Sequence, residues 1–238
     1  MKPVVFAGPS IHGIAGEYTS GLDLRGPAAC GDIFDAVRQG VGTIGLIDGL
    51  YGDCAAVWHK EILFALASGV TVFGAASMGA LRAAECAPFG MIGIGEIFEA
   101  YRDGRRFSDA DVAVSHAPGA LDYRPLTVAL VDAEATLAVC RDTVAPEEYD
   151  ALTRAANNLH FTRRTWRAIA AEAGLGSQTA NLLAANAVSV KRNDAARLLA
   201  MLTGEMLPSP PPPSWKLQNT MFFQQLAARR AAAGDKRS

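Results

Sequence analysis

Three short apolar runs in the first third of the chain, each closing on small or turn residues, restrict its fold more than any other feature. They are Val4-Val5-Phe6-Ala7-Gly8, Gly42-Thr43-Ile44-Gly45-Leu46-Ile47-Asp48-Gly49 and Val70-Thr71-Val72-Phe73-Gly74-Ala75-Ala76-Ser77. Each is continuous rather than alternating, the pattern of parallel strands buried on both faces. Helical stretches separate them: residues 31–39, stopped by Gly40, and residues 55–68, stopped by Gly69. Glycine at these positions is a common helix terminator. A third helix is expected from just after Ser77 to Pro88. Alternating strand and helix predict an α/β fold: an open, mainly parallel sheet with flanking helices and right-handed crossovers.

Beyond about residue 125 the pattern changes to an all-helical C-terminal region. Segments at 127–141, from Pro146, and near 165–173, 178–188 and 192–203 have helical character. They are followed by the proline run Pro208-Ser209-Pro210-Pro211-Pro212-Pro213-Ser214, a stiff extended connector. Four parts are therefore expected: an α/β core over 1–125, a helical region over 126–207, a linker over 208–214, and a terminal amphipathic helix and tail over 215–238. Of the 23 glycines, 18 fall in residues 1–104, so the tightly built loops belong to the first part.

Charge and composition exclude several classes of function. A net charge of −2 leaves no basic footprint for nucleic acid. It is the sum of an acidic half (9 basic and 14 acidic side chains in 1–125) and a mildly basic one (13 and 10 in 126–238). No apolar run approaches the roughly 18 residues of a membrane span, and the N-terminal run reads as a strand rather than a signal peptide. Cys30, Cys54, Cys86 and Cys140 are scattered, with no paired motif; this argues against zinc and disulfides and fits a reducing cytoplasm. No metal site is expected.

In an open parallel sheet, ligands bind beyond the carboxyl ends of the strands. Those ends carry Gly8-Pro9-Ser10, Asp48-Gly49 and Ala75-Ala76-Ser77-Met78-Gly79. Ser77 has small residues two before and two after it, as a tight strand-to-helix nucleophile turn requires; it reads equally as a plain helix N-cap. On a helical wheel His59 falls between Leu66 and Leu63, so it is expected to face the apolar side, either as a hydrogen-bonded core residue or as a base. Lys60 and Glu61 flank that face and read as solvated or as site residues. Asp48 either orients His59 or caps the next segment. Arg82 and Glu85, three apart, can pair on the helix surface, or Arg82 can clamp an anion held at Ser77. Gly93-Ile94-Gly95 lacks the preceding strand of a dinucleotide loop. Asp109, Asp111 and His116 match no metal-ligand spacing.

The strings Gly8-Pro9-Ser10, Gly31-Asp32-Ile33, Ile47-Asp48-Gly49, Val57-Trp58-His59-Lys60-Glu61-Ile62-Leu63, Gly74-Ala75-Ala76-Ser77-Met78-Gly79-Ala80-Leu81-Arg82-Ala83-Ala84-Glu85 and Phe89-Gly90-Met91 occur in this order. Over roughly residues 3–140 the chain resembles the TfuA-like protein family. The resemblance implies partnership with a YcaO enzyme in peptide backbone thioamidation, as in ribosomal peptide natural products. It also implies hydrolysis of a thiocarboxylated ThiS-like sulfur carrier to supply sulfide. The implied partners are YcaO, the carrier and, through YcaO, the peptide; ATP is used by YcaO, and no cofactor is expected here.

For that chemistry Ser77 is expected as nucleophile or oxyanion ligand and His59 as base, with Lys60 its rival and Asp48 or Glu61 its orienter. Arg82 would hold the anionic end, while Gly8, Pro9, Ser10 and Gly79 would admit a slender tail. Two other readings stand beside this one: a non-catalytic escort of YcaO or its peptide, and a nucleotide or phosphate site at the strand ends. Phe64, Phe222 and Phe223 are candidates for an oligomer interface or for core.

Overall fold

The computed structural model describes residues 1–52, 54–204, 207–208 and 213–234. Five strands, β1 (Val4–Phe6), β2 (Asp23–Arg25), β3 (Thr43–Leu46), β4 (Thr71–Ala75) and β5 (Ile92–Ile94), form one parallel sheet in the order β2-β1-β3-β4-β5. Ten α-helices lie among the described residues. They are α1 (Asp32–Arg38), α2 (His59–Ala67), α3 (Met78–Cys86), α4 (Glu96–Arg102), α5 (Leu130–Cys140), α6 (Pro146–Asn158), α7 (Trp166–Glu172), α8 (Ser177–Ala185), α9 (Val190–Thr203) and α10 (Met221–Gly234). The α/β class, the parallel sheet and the helical C-terminal region are as the sequence predicts. Among the described residues no helix is long and apolar enough to cross a membrane.

Alternation along each strand divides the core in two. Val4, Phe6, Ile44, Leu46 and Val72 face α1, α2 and α3, with Ile62, Ala65, Ala80 and Ala83 against them. Val5, Ala7, Ile47 and Phe73 face the opposite way and meet Ala195, Leu198, Leu199 and Leu202 of α9. The second layer over the sheet thus comes from far down the chain. Gly45 makes it possible: a side chain there would meet Leu202. A separate cluster around Leu137, Leu152, Ile169 and Leu183 holds α5 to α8 together.

Several elements depart from the sequence reading. β2 and β5 are edge strands that no apolar run announces. Gly93-Ile94-Gly95 follows no strand because it is largely β5 itself, with Gly95 as the N-cap of α4. The helix expected over 55–68 begins only at His59, and the terminal helix begins at Met221 rather than Trp215. Of the proline connector, residues 209–212 lie outside the described residues, as do 235–238 of the tail.

Candidate active site

The strand order reverses direction between β1 and β3, so the crevice beyond their carboxyl ends is the natural ligand position. A cavity of about 620 Å³ lies there, its wall including Asp48, Tyr51, Ser77, His116, Phe161 and Lys191.

Asp48 is buried just after β3. Its Oδ2 accepts the amides of Gly8 (2.8 Å) and Ser10 (3.0 Å), and its Oδ1 accepts the Ser10 hydroxyl (2.7 Å). One carboxylate therefore ties the β1 loop to β3. It neither orients His59 nor caps the following segment.

Ser77 sits at the junction of β4 and α3. Ala76 before it has φ +66°, and the Ser77 amide donates to the Ala75 carbonyl at 2.8 Å. This is a γ-turn of the rare left-handed kind, in a region that costs a residue with a Cβ about 1–2 kcal/mol. Such strain concentrates at functional sites. Ser77 holds the N-cap position of α3, as the sequence also allows, but its hydroxyl makes no capping bond, and the residue lies on the cavity wall. The amide of Met78, first in α3, finds no acceptor among the described residues, while that of Gly79 is taken by the Ile47 carbonyl at 3.1 Å.

His116 and Lys191 complete the polar wall. His116 Nδ1 lies 2.8 Å from the Ala117 carbonyl. A carbonyl only accepts, so Nδ1 carries the proton and, in the neutral ring, Nε2 keeps its lone pair. Lys191, in the first turn of α9, is 3% exposed and donates from Nζ to the Val112 carbonyl at 2.6 Å. Burial pushes its pKa down, against the opposing pull of Asp48 and Asp132. Asp132 holds the start of α9 through the Ser189 hydroxyl (2.9 Å) and the Lys191 amide (3.1 Å), and so fixes where the lysine emerges.

The residues predicted from the sequence divide between this cavity and another. Pro9, Asp48 and Ser77 line the first; His59, Lys60 and Arg82 line a second, of about 450 Å³, beside Trp58. His59 does not face the apolar side. It is the first residue of α2, half exposed, and its Nε2 lies 2.6 Å from Glu85, whose carboxylate also takes Arg82 Nη1 at 2.7 Å. The wheel misplaces it because the buried arc of α2 centres on Glu61, Ile62, Ala65 and Leu66. Arg82 Nε is further held by the Val57 carbonyl at 3.1 Å.

Glu61 is not a solvated flank either. It is fully buried, accepting the amides of Gly31 (2.6 Å) and Trp58 (3.1 Å), and burial raises its pKa against those bonds. Gly8 and Gly79 serve packing: a methyl on Gly8 would strike Pro27, and one on Gly79 would overlap the Leu46 carbonyl. Asp111 pairs with Arg106 at 3.0 Å. Phe64 packs on Phe34 and Phe223 within the same chain. Burial pushes the Cys30 and Cys86 thiols up to about 11 and about 12, so both stay protonated.

Lys191 and His116 were not among the site residues read from the sequence. His116 stands in a run whose acids drew attention away from it, and nothing near Lys191 marks it.

An open parallel α/β protein with a serine, an imidazole and a lysine around a strand-end cavity has the groups for chemistry at an acyl carbon. Residues 48–165 match the family model described as TfuA-like protein, the family that the sequence motifs resemble. That family is known in general for its association with YcaO enzymes in thioamidation. No curated protein matches the chain.

Proposed function

We propose that the chain supplies sulfide to a YcaO partner by hydrolysing the C-terminal thiocarboxylate of a small ThiS-like sulfur carrier. The observation that carries this reading is Ser77: a serine set on the cavity wall by a strained γ-turn, its hydroxyl without a hydrogen-bond partner among the described residues. Ser77 Oγ attacks the acyl carbon, forming a C–O bond, and its proton passes to His116 Nε2. The C–S bond breaks as His116 Nε2 returns that proton to the sulfur, which leaves as hydrosulfide. Water then cleaves the ester, releasing a carboxylate and restoring the serine. The Met78 amide, at the positive end of α3, is the donor for the developing oxyanion. His116 replaces His59 as the base in this scheme, because His59 lines the other cavity.

At the end of β1 the amides of Gly8 and Ser10, donors a phosphate could use, are already taken by Asp48. That favours acyl chemistry over a nucleotide site.

The test is sulfide release from a thiocarboxylated carrier by the purified protein. Ser77→Ala and His116→Ala are each expected to lose about a hundredfold or more, and His59→Ala to stay within about threefold of wild type. Full release by a folded Ser77→Ala variant overturns the serine mechanism. No release by wild type, with faster YcaO turnover in its presence, establishes the non-catalytic escort instead.

A further inference from the structure

The geometry points to Lys191 as the receptor for the anionic acyl end of the substrate: its ammonium, brought to the cavity wall by α9, grips a carboxylate or thiocarboxylate at the tip of a flexible chain. The inference rests on the acyl-hydrolysis reading of the same cavity.

An ammonium has three donors. At Lys191 one of them goes to the Val112 carbonyl at 2.6 Å, and no other acceptor is bonded to Nζ among the described residues. Asp48 acts on the lysine through its charge, but its oxygens are engaged by Gly8 and Ser10. No carboxylate among the described residues lies within 4.0 Å of Nζ to form an ion pair. A nearly fully buried cation with spare donors is costly to the folded state unless an anion meets it, and the cavity is the open side from which one arrives. The same cavity wall includes the apolar Leu81, Val114 and Phe161, suited to the uncharged part of an acyl tail. The two cations that sequence motifs advertise, Lys60 and Arg82, line the other cavity. Among the described residues that line this cavity, Lys191 is therefore the lysine or arginine available to an anion that reaches Ser77.

Binding of triglycine and of its C-terminal amide, measured by calorimetry on the full chain, reads this interaction without turnover. In wild type the acid is expected to bind at least about tenfold tighter than the amide, the scale of one charge-assisted hydrogen bond. In Lys191→Met, checked for folding by circular dichroism, the two should bind alike. In the sulfide assay the same variant should raise KM by at least about tenfold while keeping most of kcat. Discrimination that survives in Lys191→Met, or wild type that binds both peptides alike or neither, overturns the assignment. Failure of wild type to release sulfide overturns the acyl-hydrolysis reading, and the acid–amide comparison still judges Lys191 by itself.

Discussion

At Lys191, stability and use pull in opposite directions. Burial lowers its pKa in the folded state even with Asp48 and Asp132 acting on it, so the charged lysine is worse off folded than unfolded. Between the folded and unfolded pKa values the unfolded chain binds more protons, and wild-type stability rises with pH there. Lys191→Met is therefore expected to melt no lower than wild type at pH 7. Its margin should shrink as pH climbs towards 10, because the wild-type folded state sheds its proton at lower pH than the unfolded chain does. Melting temperatures of both proteins across pH 6–10 check this; a margin that widens with pH would contradict it. Ala76 is a second residue held at a cost, in the left-handed region just before Ser77. Neither residue announces itself in the sequence, since a lysine in a helix's first turn and an alanine after a strand are unremarkable there.

Elements meet where side chains are absent. Gly79 brings the first turn of α3 onto the backbone of β3, where a methyl would overlap the Leu46 carbonyl. Backbone cannot step aside as a flexible side chain can. Gly79→Ala is expected to cost about 2 kcal/mol or more, lowering Tm by about 4 °C or more in a chain of this size. A thermal melt decides it; an unchanged Tm would mean that α3 shifts freely, and the cradle around Ser77 with it. Strands β1, β3 and β4 were legible because central parallel strands must be apolar on both faces. β2, with Asp23-Leu24-Arg25, and β5, with Gly93 at its centre, were not, because edge strands need no such run. The late start of α2 was equally hidden: residues 55–58 look helical in composition, but none of them is helical, and Trp58 is extended with Glu61 taking its amide.

Across the whole molecule, α9 turns two regions of sequence into one structure. It leaves the α5–α8 cluster, crosses the face of the sheet that Val5, Ile47 and Phe73 present, and carries Lys191 to the cavity that Asp48 and Ser77 also line. Helix α10 adds less: Phe223 packs between Phe34 and Phe64, and Arg230 pairs with Asp32 and Asp35. A chain ended after Gly204 is expected to stay soluble and folded, with Phe34 and Phe64 newly exposed. One ended after Ala187 loses α9, bares an apolar sheet face and is expected to aggregate. Solubility and far-ultraviolet circular dichroism of the two truncations distinguish these outcomes; equal behaviour would show that α9 is not the sheet's essential second layer.

The sequence by itself determined the parallel α/β class, the helical second half, the TfuA-like motifs, and Asp48 and Ser77 at the strand ends. It could do so because burial on both faces, helix stops and strand-end turns are local demands, written in neighbouring residues. Only the tertiary structure decided which residues share a cavity. His59, Lys60 and Arg82 sit in the same motifs as Ser77 yet open onto a different cleft, while His116 and Lys191 join Ser77 from 39 and 114 residues away. Such meetings depend on how helices cross the sheet, which no stretch of neighbouring residues encodes.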